Sequence, residues 1–407
     1  MAVAKLERPV LSVEEAQAHI LASVDVLEPE RVPLLEAVGR VLAESVAADR
    51  DIPPVINAAM DGYAVRGADL RGAEVRLRVV GEVAAGHAPD RRVGPGEAVR
   101  IMTGAPVPPG ADTVVRFEDT RVADDQVAIL RPPSPGKNVR QAGEDVRQGQ
   151  VVVERGKVLR PQEIGMLAAV GYLEVGVIRR PRVAILGTGD EVVPPEQTPG
   201  PSQIRDANSY TVAAQVQRYG GIPLILGVAR DQAELVRQGL RRALEGEADF
   251  IITSGGVSVG DFDLVKQVME VEGEMHFWSL NMKPGRPMAF GTVGGVPLLG
   301  LAGNPVAAMI STKLYARPAL RKMQGFSGWE ERTIRARLAE PIERKDGRRH
   351  YLRVYVRDSD AGLEATLTGD QGSGILSSLV QADGLAVIPE DVRRLAPGSE
   401  VEVILLE

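Results

Sequence analysis

The sequence predicts a multidomain α/β protein, and three observations lead there. Residues 182–323 alternate short apolar runs with amphipathic stretches, the pattern of a mostly parallel sheet covered by helices on both faces. Residues 52–145 and 333–407 instead break into short alternating runs separated by Gly and Pro, which reads as β structure. A chain of 407 residues also exceeds one small core, so two to four domains are expected.

Taken in order, Ser12 followed by Glu15 forms a capping-box signature ahead of an amphipathic helix over 12–27, with Val13, Ala16, Ile20 and Val24 on one face. A second helix is expected over 32–47 from Leu34, Leu35, Val38, Val41 and Leu42. The β-rich module follows, with runs at 75–83, 97–105, 112–122 and 125–133. Pro161 opens a helical pattern over 160–177, and a hinge is expected near Arg179–Pro181. The alternating region then reads as strand 182–187, helix 208–221 capped by Asn208, strand 223–229 and helix 231–246. Strands at 250–252 and 296–301 and a helix from Pro305 to Met323 complete it.

Three strand-to-loop transitions crowd into residues 248–307. The run Phe250–Ile252 breaks at Ser254-Gly255-Gly256, where a backbone without side chains can approach a ligand closely. Val296–Leu301 ends in Gly303-Asn304-Pro305, a flexible joint, an N-cap residue and a proline at the first helical position. Free N–H groups at such a start suit an oxyanion, and Lys283 and Arg286 supply cations between the two loops. Asp190, Glu191, Asp231, Asp261 and Asp263 all fall at expected strand ends or helix starts. Singly each reads as a turn or cap; together they make an oxygen-rich set suited to Mg²⁺, which needs few carboxylates beside phosphate and water. Gly187-Thr188-Gly189 is not a dinucleotide fingerprint, because Val192 stands where its third glycine belongs, and no P-loop is present.

Composition excludes several classes. A net charge of −7 argues against general nucleic-acid or anionic-membrane binding, and 4% aromatic residues argue against stacking on many bases. With no cysteine the chain has no disulfides, thiolate nucleophiles or cysteine metal sites, and its four histidines lack metal-ligand spacing. No apolar run reaches membrane-span length and residues 1–10 lack the core of a signal peptide, so a cytoplasmic location is expected.

Eight segments carry a resemblance over nearly the whole chain: MDGYAVR (60–66), RIMTGAPVPPGAD (100–112), GED (143–145), GTGDE (187–191), TSGGVSVGDFD (253–263), MKPGRPMAFG (282–291), GNP (303–305) and TGDQGSG (368–374). In that order they resemble the MoeA-type molybdopterin molybdenumtransferases, the family that includes the gephyrin E domain. The resemblance implies four domains. These are a discontinuous helical domain (1–51 and 146–178), an inserted β-rich domain (52–145), a three-layer α/β/α molybdopterin-binding domain (179–327) and a C-terminal β-barrel (328–407). It further implies a homodimer, with molybdopterin adenylyltransferase as upstream partner.

The implied reaction joins adenylylated molybdopterin and molybdate, assisted by Mg²⁺, to give molybdenum cofactor and AMP. The soft sulfur ligands come from the substrate, so a chain without cysteine is suited to it. Motif matching carries catalytic roles onto Asp61, Thr103, Asp145, Glu191, Asp231 and Asp263, with Glu191, Asp231 and Asp263 also handling metal. Binding roles fall on Gly255, Gly256, Ser258, Lys283, Arg286, Asn304, Pro305, Arg353 and Ser373. Asp61 and Thr103 are expected to reach the site from a partner subunit. Three positions depart from the family pattern: Ala59 replaces a frequent Ser, Ser279 a frequent basic residue, and Ala302 the usual Pro. The alternatives are adenylyltransferase-like activity and a non-catalytic scaffold; the inserted-domain segments argue against the first, and the retained acids favour an enzyme over the second.

Overall fold

The computed structural model describes residues 10–72, 74–255, 274–360 and 362–406, with only the backbone of 275–278. The chain forms two compact units. One contains the described residues up to Glu30 together with those from Ile178 onward, and the other contains Arg31–Val177.

The first unit is built on a seven-stranded sheet. Its strands are β1 (Val10–Leu11), β2 (Arg182–Thr188), β3 (Ile222–Ala229), β4 (Phe250–Ser254), β5 (Met275–Leu280), β6 (Pro287–Val293) and β7 (Val296–Leu301), in the spatial order β1-β5-β6-β7-β4-β2-β3. The pairs β1–β5, β7–β4, β4–β2 and β2–β3 are parallel, while β6 runs antiparallel to both neighbours. Both faces are covered because side chains alternate along each strand. Val183, Ile185, Phe250, Ile252, Leu299 and Leu301 pack with helices α1 (Val13–Ala22), α2 (Asn208–Arg218), α4 (Pro305–Ser311) and α5 (Arg317–Met323). Ala184, Leu186, Ile251 and Leu298 pack on the opposite face with α3 (Ala233–Glu245). There Gly239 admits Leu186 so closely that a Cβ would meet its Cδ2 at 2.7 Å. The chain passes from β2 to β3 by one face and from β3 to β4 by the other, which opens a crevice at the carboxyl ends of β2 and β4.

The expected helix from Pro305 to Met323 is present, but its middle turn, Thr312–Ala316, is a π-turn. Pro318 lacks an N–H and its ring needs room beside the carbonyl four residues back, which a wider turn provides. Downstream, β8 (Thr333–Leu338), β9 (Arg349–Ser359), β10 (Gly362–Leu367), β11 (Gly384–Ile388) and β12 (Glu400–Leu405) close on themselves as a five-stranded barrel through the β9–β11 pairing. Leu338, Val354, Ala386 and Val403 are among the residues filling it.

The second unit carries a six-stranded sheet in the order Thr113–Arg116, Gly62–Val65, Glu97–Ile101, Val75–Val83, Gln126–Ile129, Thr120–Ala123. Ala64, Val99 and Val114 fill one face, and Tyr63, Val65, Ala98 and Val115 the other. Gly62 is required there, since a Cβ would sit 1.9 Å from the Val115 carbonyl oxygen. The capping box at Ser12 and Glu15 forms as expected, but the helix expected over 32–47 does not. That stretch holds a 3₁₀ turn at Leu34–Ala37, bridges at Val41 and Leu42, and a strand at Val46–Ala47 that pairs with Val151–Val153. The left-handed Gly39 (φ 77°) ends the single turn that Pro33 opens, and the valines prefer extended backbone. The helix expected over 160–177 stops at Ala169, where the chain turns through Gly171 (φ 87°) into the strand Glu174–Ile178.

Candidate functional site

The crevice holds a cleft of about 520 Å³ walled by three strand-end turns: Thr188–Gly189 after β2, Ser254–Gly255 after β4 and Gly303–Asn304 after β7. Close approach of backbones explains the glycines. A Cβ on Gly255 (φ 98°) would meet the Thr188 carbonyl oxygen at 2.6 Å, and one on Gly303 would lie 3.6 Å from Gly255 Cα. The Gly255 N–H donates to the Leu301 carbonyl at 3.1 Å, and the Thr188 hydroxyl donates to the Ser254 carbonyl at 3.3 Å.

Carboxylates rim one side. Glu191 is exposed and folds back over Gly189, whose added Cβ would meet its Oε2 at 2.7 Å. Asp231 is half-buried and forms a reciprocal pair with Asp190. Its N–H donates to Asp190 Oδ1 at 3.2 Å, and the Asp190 N–H donates to Asp231 Oδ2 at 3.4 Å. Sequence reasoning passed over a third acid lining the cleft, the buried Asp206. Its Oδ1 accepts the Ser209 N–H at 3.0 Å, so Asp206 rather than Asn208 satisfies the start of α2. That acid–x–x–Ser spacing was the available signal. Asp263, like Gly256 and Ser258, lies outside the described residues, and no group of three His, Asp or Glu converges as a ligand set among the described ones.

A second cleft of about 530 Å³ adjoins the first, sharing Pro287, Ala302 and Asn304. Its lining carries cations: Lys283, Arg286, Arg348 and Arg353. Lys283 and Arg286 are exposed, and neither has an ion-pair partner among the described residues. Arg353 is different, at 1% exposure. Its Nε donates to Ser378 Oγ at 3.0 Å, Nη1 to the Gln371 carbonyl at 3.1 Å, and Nη2 to the carbonyls of Asp370 and Gly372 at 3.2 and 3.0 Å. It therefore holds the loop that presents Ser373, whose own carbonyl accepts the Val306 N–H at 3.1 Å. His350, paired across strands with Lys283, is buried against Asp346 with Nε2 2.9 Å from Oδ1. Burial, aided by Arg344 and Lys283, depresses the imidazole pKa and outweighs the opposing effect of Asp346.

Asn304 holds the N-cap position of α4 and Pro305 its first turn, as expected, but the Asn304 side chain makes no capping bond. Ser279 is partly buried between Val10 and Pro287. In the other unit Asp61 Oδ1 accepts both the backbone N–H and the hydroxyl of Thr103, each at 2.7 Å, which lowers the Asp61 pKa. Asp145 is exposed there beside Arg140 and Glu144, in a separate cleft of about 420 Å³.

Comparison with known proteins agrees with these features. Residues 11–171 match the MoeA N-terminal region (domain I and II), residues 184–322 the "Probable molybdopterin binding domain", and residues 335–406 the MoeA C-terminal region (domain IV). A molybdopterin molybdenumtransferase of Nostoc sp. is 38% identical over 389 residues, spanning 93% of this chain and 89% of that protein. Molybdopterin molybdenumtransferase 2 of Mycobacterium tuberculosis is 37% identical, spanning 96% of this chain and 98% of that protein. The crystal structure of a molybdopterin biosynthesis MoeA protein from Pyrococcus horikoshii superposes with a TM-score of 0.82 at 33% identity, covering 98% of this chain and all of that one. With every region of the fold matched and the likeness running from end to end, the chain belongs to the MoeA family of molybdopterin molybdenumtransferases.

Proposed function

We propose that this chain inserts molybdenum into molybdopterin, taking adenylylated molybdopterin and molybdate and releasing molybdenum cofactor and AMP. Membership in the family makes it a transferase of molybdenum cofactor biosynthesis; the adenylylated substrate, the dependence on Mg²⁺ and the residue roles are our own assignment. The observation that carries it is the adjoining of two clefts of opposite character. One has glycine turns and carboxylates, and the other has two cations with no ion-pair partner among the described residues.

Cleaving a phosphoanhydride needs fixed donors around developing negative charge. The Gly303-Asn304 turn offers backbone N–H groups to phosphate, and the glycines at 255 and 303 leave its approach free of side chains. Glu191 and Asp231 are hard oxygen donors on the same wall, a set that fits Mg²⁺ with phosphate and water completing the shell. Bound there, with Asp263 as a third ligand, the ion would neutralise charge on the phosphoanhydride oxygens. Lys283 and Arg286 hold molybdate in the neighbouring cleft, and Arg353 and Ser373 shape its far wall. We further propose a cytoplasmic homodimer in which Asp61 and Thr103 of a second copy serve this site, with Asp145 acting from the same inserted region. No helix among the described residues is long and apolar enough to cross a membrane. Molybdopterin adenylyltransferase supplies the substrate.

Purified protein incubated with adenylylated molybdopterin, molybdate and Mg²⁺ tests the proposal. Release of AMP only when molybdate is present supports it. ATP consumption with free pterin points instead to adenylyl transfer, and no turnover at all leaves only a scaffold.

A further inference from the structure

Beyond β4 and β7 the ladder ends. Its last rung is the Gly255 N–H to the Leu301 carbonyl, and Gly255 and Gly303 in the turns beyond it have no side chains with which to hold each other. One residue from another element joins them. Asn208, the first residue of α2, donates both hydrogens of its amide, one to Ser254 Oγ and one to the Gly303 carbonyl, each at 2.7 Å. It is free to do so because Asp206 has taken over the start of the helix. With both N–H groups committed, the amide cannot flip without losing both bonds.

We propose that Asn208 is a positioning residue for the transfer reaction: it fixes the spacing of the Ser254–Gly255 and Gly303–Asn304 turns, against which the phosphoanhydride is held. This rests on the function assigned above and adds a determinant of it. The effect belongs on turnover more than on binding, since a misplacement of about 1 Å at a reacting centre costs up to about 100-fold in rate. Ground-state contacts to the remaining turn atoms persist.

Three variants separate the arms. Asn208→Ala removes both bonds. Asn208→Asp keeps the shape but turns acceptors toward both partners: the Gly303 carbonyl loses its donor, while the Ser254 hydroxyl, which accepts from Asn208 in the wild type, can reverse and donate. Ser254→Ala removes one arm and leaves Asn208 tied to Gly303. The expected result is a kcat loss of about 10- to 100-fold in Asn208→Ala and Asn208→Asp, with KM for adenylylated molybdopterin within about twofold. Ser254→Ala should lose less than either. A second measurement needs no substrate: hydrogen–deuterium exchange across residues 301–306 should quicken in both Asn208 variants. Wild-type turnover tests the assigned function, whereas the variant-to-wild-type ratio and the exchange data test the role of Asn208. A lowered Tm with wild-type kcat overturns the inference in favour of a merely structural bond. A raised KM with unchanged kcat overturns it in favour of direct ligand contact. Unchanged exchange at 301–306 overturns it whether or not the wild type turns over.

Discussion

The two adjoining clefts share a wall but are made differently. The strand-end cleft is largely backbone, with glycine turns packed so closely that a Cβ added to Gly303 would lie 3.6 Å from Gly255 Cα, and carboxylates on the rim. The cationic cleft is made of side chains, and these divide sharply. Lys283 and Arg286 stand exposed and without an ion-pair partner among the described residues, while Arg353 spends its guanidinium on one hydroxyl and three carbonyls. The contrast teaches that charge alone does not identify a ligand-binding cation. An arginine whose donors are already satisfied shapes a pocket, and only one with free donors can greet an anion.

The largest expected effect tests the acidic side. Glu191→Gln and Asp231→Asn should each lower AMP release by about 100-fold, and thermal melting should move by no more than about 2 °C, because neither carboxylate is deeply buried. Equal loss in Lys283→Ala, with no change in its molybdate dependence, would dissolve the division of labour between the clefts. Otherwise Lys283→Ala should raise the molybdate concentration for half-maximal turnover about tenfold, the weight of one charge-assisted hydrogen bond. Ser279→Lys, which restores the basic residue frequent in the family, should lower it.

Arg353→Ala probes the other kind of cation. It strands three loop carbonyls and should cost about 3 kcal/mol in urea unfolding. Arg353→Lys should recover only part, since an ammonium cannot reproduce the planar fork. The smallest effect is in pH. The folded pKa of His350 is depressed from its ordinary value of 6.5. As pH falls through 6.5 the unfolded chain takes up a proton before the folded one does, so stability is lost toward acid. The melting temperature should therefore fall between pH 7 and about pH 5.5 more steeply in wild type than in His350→Gln; parallel slopes would remove His350 from that account.

Much of the α/β core was legible beforehand, because buried strands and capped helices write their periods directly into the chain. Phe250–Ser254, Val296–Leu301 and the Asn304-Pro305 helix start all stand where the pattern puts them. The segment 32–47 has the apolar spacing of a helix, but Gly39 takes a left-handed conformation and the valines an extended one, so only the turn at Leu34–Ala37 forms. Asn208 was understood only as a cap, and Asp206 was overlooked, although the pair exchange those duties.

The sequence by itself determined the α/β character of the core, the β character of the flanking modules, the motif order that identifies the family, and the acids and cations available. Only the tertiary structure decided which of them meet. Asn208 finds its partners 46 and 95 residues away, and Arg353 is consumed by a loop 17 to 19 residues downstream. Local periodicity reports which face of an element is buried, but it carries no information about what lies across that face. Whether a polar group is committed or free depends on those distant partners.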